Sequence, residues 1–142
     1  VKAKIVEMDE KESNFRKYLN FGHTYGHAVE AAIGYGKISH GEAVMIGMIP
    51  ALLLSEKYGQ LPKGFAKRFY SLANRLEYNF EQILDCPFEQ LAAYMQKDKK
   101  TINKQLHFAL LETIGKPFIQ VVPVDAVRLC DEELRQWIRE GK

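Results

Sequence analysis

The spacing of apolar residues changes character several times along the chain, and each change marks an element. Val1, Ile5 and Met8 recur at helical spacing, and the polar run from Asp9 to Asn14 predicts a solvated turn after them. From about Arg16 through Ala32, the residues Phe15, Leu19, Tyr25, Val29 and Ile33 keep to one broad side, which predicts a helix stopped by Gly34 and Gly36. Tyr35 to Ser39 reads as a short loop. From His40 the sequence is small and apolar to about Tyr58, where Gly59, Pro62 and Gly64 close the element. Pro50 inside this run predicts a kink, because it removes one backbone donor. Phe65 to Leu76 alternates apolar and basic residues as a surface helix does, and Cys86-Pro87-Phe88 leads into a helix over Glu89 to Met95.

After the lysine-rich stretch from Lys97 to Lys104 the period shortens to two. Leu106, Phe108 and Leu110 alternate with Gln105, His107 and Ala109, and Phe118 to Val122 is a second β-prone run across the turn from Thr113 to Pro117. Asp125 to the end is helical again, with Asp131, Glu132 and Glu133 before Arg135, Arg139 and Lys142, in the order the helix dipole favours. The pattern predicts a mainly α, multi-helical domain with a small two-stranded β-hairpin, built on one core across residues 1–142.

A length of 142 residues suits one domain, and 46% hydrophobic with 27% charged residues is globular composition. The longest apolar stretch, Ala43 to Leu54, is interrupted by Gly47 and Pro50 and is far short of the about 20 residues a membrane span needs. A net charge of +2 offers no basic excess for nucleic acid. Cys86 and Cys130, far apart and with no signal peptide ahead of them, suit a reducing, cytoplasmic setting without disulfides. The chain opens at Val1 within an amphipathic segment, from which we expect a piece of a longer protein.

Three of the four histidines, His23, His27 and His40, fall close together, and this is where the chemistry concentrates. His23 and His27 stand four apart and share one face of a helix, while His40 opens the next helix after a short loop. Imidazole nitrogen is a common zinc donor, so a metal site is geometrically reasonable, flanked by Gly22, Gly26 and Gly41 that allow close approach. A zinc peptidase of the His-Glu-x-x-His type is excluded, since Thr24 stands where its glutamate is required. Glu30 and Glu42 are nearby carboxylates, either partners that fix a histidine tautomer or solvated helix residues.

These residues carry a resemblance. The run from Leu19 to Glu30, containing Gly22-His23-Thr24-Tyr25-Gly26-His27, then His40-Gly41-Glu42-Ala43-Val44 and Asp98-Lys99-Lys100, resembles the C-terminal domain of the 3-dehydroquinate synthases. The likeness extends from Lys2 to about Gly115; the two histidine motifs at this separation are specific, whereas the lysine motif alone is weak. It implies the C-terminal half of a two-domain enzyme that uses zinc, or cobalt in its place. NAD would be held mainly by an N-terminal domain absent from this chain; no Gly-x-Gly-x-x-Gly fingerprint occurs here.

Carried over by position, the resemblance implies that His23 and His40 are metal ligands, the third being a glutamate upstream of Val1, and that His27 touches substrate and transfers a proton. It implies substrate and site roles for Lys2, Glu12, Arg16 and Asn20, and a phosphate contact for Lys99 or Lys100. Seen alone, such basic residues would be solvated surface charges; Arg forks and Lys point charges nonetheless suit an anionic sugar acid phosphate. Tyr25 replaces a frequent Phe without expected harm, and the absence of glycine between Asn103 and His107 leaves the hairpin geometry open. The implied reaction converts 3-deoxy-D-arabino-heptulosonate 7-phosphate to 3-dehydroquinate and phosphate in a cytoplasmic homodimer, without nucleic acid or membrane partners. The competing readings are another sugar phosphate cyclase such as 2-deoxy-scyllo-inosose synthase, a metal-dependent glycerol-type dehydrogenase, and a helical interaction module with structural histidines.

Overall fold

A computed structural model describes residues 21–34, 36–96 and 105–141. In chain order the elements are α1 (His23–Ile33), α2 (His40–Tyr58), α3 (Phe65–Arg75), a 3-10 turn (Phe80–Asp85), α4 (Phe88–Gln96), β1 (Gln105–Thr113), β2 (Lys116–Pro123) and α5 (Val124–Arg139). The mainly helical domain with one hairpin is thus the fold that the apolar periods predict. The expected first helix from Val1 lies outside the described residues.

The centre is α2, which is apolar on nearly every side because α1, α3, β1 and α5 all pack against it. Ala43, Ile46, Ile49, Leu52 and Leu54 are buried along it, and the helix runs on past the buried Pro50. Its last turn starts the next helix: the Glu56 carboxylate accepts from the backbone N–H of Gly64 at 3.0 Å and of Ala66 at 2.8 Å. These are donors at the start of α3 that otherwise lack partners.

β1 and β2 are antiparallel, with Leu106 opposite Val122, Phe108 opposite Gln120 and Leu110 opposite Phe118. Leu106, Phe108, Leu110 and Val122 point into the core. Ile114 and Gly115 make the turn, with Gly115 at φ 95°, and the register shifts between Leu111 and Thr113. The hairpin is tied to α2 there: the Ser55 hydroxyl accepts from Leu111 N–H at 2.9 Å and donates to the Ala51 carbonyl at 2.7 Å.

Two features depart from the sequence expectation. The helix expected from Arg16 begins at His23, because Gly22 adopts φ 81°, a left-handed conformation that cannot continue a right-handed helix. The 3-10 turn is too short to show a period in the sequence, although Phe80 and Ile83 bury from it.

Candidate functional site

The site is assembled where the N-terminal turns of α1 and α2 meet. Ser39 caps α2, its hydroxyl accepting from Glu42 N–H at 3.1 Å, which makes His40 the first residue of the helix. His23 opens α1 and His27 follows one turn later. The two helices cross with almost no side chain between them. A Cβ on Gly47 would stand 2.1 Å from the Gly22 carbonyl oxygen and 2.6 Å from Gly26 N, and a Cβ on Gly26 would stand 2.8 Å from the Ala43 carbonyl oxygen. Gly22 and Gly26 therefore do permit close approach, as expected. Gly41 does not share the task, having nothing within 4 Å; its place is taken by Gly47.

That crossing gathers the three imidazoles. Their ring centres are 5.1 Å apart for His23 and His27, 5.2 Å for His23 and His40, and 5.7 Å for His27 and His40. His23 Nδ1 lies 3.3 Å from His27 Nε2, and His40 Nδ1 lies 3.2 Å from Glu30 Oε1. The same Glu30 oxygen is 3.9 Å from His27 Nδ1. The side chains of His27 and His40 are 57% and 54% exposed and so open to a ligand, whereas that of Glu30 is only 14% exposed. Burial, with the neighbouring His27 and His40 rings adding to it and Glu30 opposing, lowers the His23 pKa and favours the neutral imidazole that binds metal. Glu42 turns elsewhere, accepting from the Gln82 amide at 3.3 Å.

The arrangement suits a metal ion in part. Two imidazoles bound to one tetrahedral ion at about 2.0–2.1 Å place their ring centres about 5 Å apart, and the His23 and His40 rings are 5.2 Å apart. Among the described residues no group of three or more His, Cys, Asp or Glu side chains is disposed to hold an ion alone. The pair fits as part of a ligand set.

The inward side of α1 carries what the sequence did not disclose. Thr24, between the two histidines, donates its hydroxyl to the His107 carbonyl of β1 at 3.1 Å. Tyr25 is fully buried and donates to Asp131 Oδ1 at 2.5 Å, while Arg135 Nε donates to Asp131 Oδ2 at 2.7 Å and its other end to the Cys86 carbonyl. Burial raises the Tyr25 pKa well above the ordinary phenol value, so it remains a donor. It also raises the Asp131 pKa, against the pull of Tyr25 and Arg135. The Tyr25 hydroxyl is thus a working part of the fold, with a partner 106 residues away that no local pattern announces.

Of the residues named from sequence, His23, His27 and His40 are brought together. Lys2, Glu12, Arg16, Asn20, Lys99 and Lys100 lie outside the described residues. An open cavity of about 440 Å³ between α4 and α5 includes Glu89, Asp125 and Arg128 in its lining but no histidine. None of the described helices is long and apolar enough to cross a membrane.

Comparison with known proteins gives the lineage. The family model for the 3-dehydroquinate synthase C-terminal region matches residues 1–101. A 3-dehydroquinate synthase of Lysinibacillus sphaericus (strain C3-41) is 54% identical over 140 residues, covering 99% of this chain and 39% of that protein. The enzyme of the same name from Listeria innocua is 47% identical over 119 residues, covering 84% of this chain and 32% of that one. The chain therefore spans about two fifths or less of these relatives. Among solved structures, a 2-deoxy-scyllo-inosose synthase complexed with carbaglucose-6-phosphate, NAD+ and Co2+ superposes with a TM-score of 0.60 at 27% identity, over 80% of this chain and 32% of that one. The motifs, the helical fold and these matches agree, and the chain belongs to the 3-dehydroquinate synthase family, in its C-terminal part.

Proposed function

We propose that this chain is the metal- and substrate-binding part of a 3-dehydroquinate synthase, which releases phosphate from 3-deoxy-D-arabino-heptulosonate 7-phosphate and closes the ring of 3-dehydroquinate. The observation that carries the reading is the convergence of His23, His27 and His40 at a glycine-lined helix crossing, in a chain 54% identical to a protein of that name. His23 and His40 would hold zinc, with cobalt able to replace it, and NAD would be bound mainly by a preceding domain. When bound, zinc supplies Lewis-acid polarisation of a substrate oxygen and NAD supplies the hydride acceptor. His27, exposed beside the pair, exchanges a proton with substrate. Arg16, Lys2, Asn20 and Glu12 orient the sugar acid, and Lys99 or Lys100 meets its phosphate. The protein works in the cytoplasm as a homodimer on this small anionic substrate.

The test is turnover by the complete enzyme that contains this chain. His27→Ala should lower turnover about 10²–10⁴-fold with metal content unchanged, while His23→Ala should lose the metal. Loss of metal in His27→Ala would instead make His27 a ligand. Turnover of glucose 6-phosphate in place of the heptulosonate phosphate would give the inosose synthase reading, to which the structural likeness at 27% identity is the pointer. A lasting rise in NADH would indicate a dehydrogenase, since a cyclase returns its hydride.

A further inference from the structure

We infer that the Glu30 carboxylate is a positioning group that sets the tautomers of all three histidines, leaving Nε2 of His23 and Nε2 of His40 as the two unprotonated nitrogens. The inference rests on the metal reading above for its purpose, but its chemistry follows from the contacts alone. An ionised carboxylate only accepts hydrogen bonds, so His40 Nδ1, 3.2 Å from Glu30 Oε1, must carry the proton. A neutral imidazole has one such proton, and His40 Nε2 is left bare.

The same oxygen acts on His27. At 3.9 Å the Nδ1 of His27 is beyond hydrogen-bond length, yet the negative charge favours the proton on the nitrogen that faces it. His27 Nε2 is then bare, and its 3.3 Å contact with His23 Nδ1 is a hydrogen bond only if His23 gives the proton. His23 Nε2 is left bare in turn. One mostly buried carboxylate, one turn beyond His27 on α1, thus propagates a single choice through three rings. The two nitrogens it frees belong to the two residues assigned as metal ligands, while His27 keeps an exposed Nδ1 proton that no hydrogen bond to Glu30 holds.

The experiment has two readouts. Long-range proton–nitrogen correlation spectra of the metal-free protein, above the ordinary imidazole pKa, identify the protonated nitrogen of each histidine. Zinc affinity is measured by competition with a chromophoric chelator in the complete enzyme that contains this chain, unaltered and with Glu30→Ala or Glu30→Gln. The expected spectrum shows His23 and His40 protonated at Nδ1. Glu30→Ala should move His40 to the Nε2–H form and weaken zinc binding about 10–100-fold, as loss of a carboxylate behind a ligating histidine does. Glu30→Gln, whose amide oxygen still accepts from His40, should keep the His40 tautomer and recover part of the affinity. His40 protonated at Nε2 in the unaltered protein would overturn the inference, whether or not the variants fold. So would a folded Glu30→Ala variant with unchanged tautomers and zinc affinity. Expected tautomers in a complete enzyme that takes up no zinc would overturn the metal reading and leave this one standing.

Discussion

On one side of α1, Gly22 and Gly26 lie against Gly47 and the backbone of α2, with little but the Met48 side chain beside Gly22 between the two helices. On the other, Tyr25 reaches into a buried network with Asp131, Arg135 and the Cys86 carbonyl. The first contact is made by what is missing and the second by polar groups that satisfy each other. Both place the same helix, and His23 and His27 with it. The glycine seam fixes how near α1 comes to His40, so its failure should appear first in the site. The polar network anchors α1 to a helix distant in sequence, so its failure should appear first in stability.

Four measurements separate the two. The largest effect is expected for Asp131→Ala, which leaves the nine-tenths buried Arg135 charge without its partner and should cost about 3–5 kcal/mol in denaturant unfolding. A loss below 1 kcal/mol would show that the network bears little weight. Gly47→Ala should cost about 1–3 kcal/mol through overpacking against backbone that has no side chain to move aside. Unlike Asp131→Ala at matched folded fraction, it should also weaken zinc binding, and equal zinc affinities would erase the distinction. Tyr25→Phe removes one donor to Asp131 but leaves Arg135 in place, so a loss of about 1–2 kcal/mol is expected without change at the histidines.

The smallest effect near neutral pH is that of Cys130, whose contribution to stability changes only in alkali. Burial pushes the Cys130 thiol from 9.0 to about 12 in the folded chain. Because the folded value is raised, its contribution to stability is fully present below pH 9.0 and is lost as pH rises from there toward about 12. Midway between those two values the loss approaches about 1.4 kcal/mol per pH unit. Cys130→Ala should flatten that part of the stability curve. The glycine seam has nothing to titrate, so Gly47→Ala should leave the slope as it is.

How much of this could be read from the sequence depended on the range of the interaction. The histidine cluster was legible because His23 and His27 are one turn apart and His40 begins the next helix, so short-range spacing places all three. The hairpin was legible because Leu106, Phe108 and Leu110 alternate with polar or small neighbours. Gly47 was not, since in sequence it is one small residue in an apolar helix, and only the crossing shows what its missing side chain admits. Tyr25 looked exchangeable for Phe because Asp131 is remote. Glu30 could be named as a possible tautomer partner, but not that its single oxygen serves two rings.

The reach of the Tyr25 bond has a consequence for the order in which the chain can mature. Its partner follows 106 residues later, and Thr24 also waits for a strand far downstream. At synthesis rates of about 5–20 residues per second, roughly 5–20 s pass between the emergence of Tyr25 and that of Asp131. Through that interval α1 can meet α2 along the glycine seam, since both helices are already made, but its inward hydroxyls have no protein partners. The inward side of α1 is therefore satisfied last, when α5 arrives from the ribosome and closes on the helix that bears two of the rings.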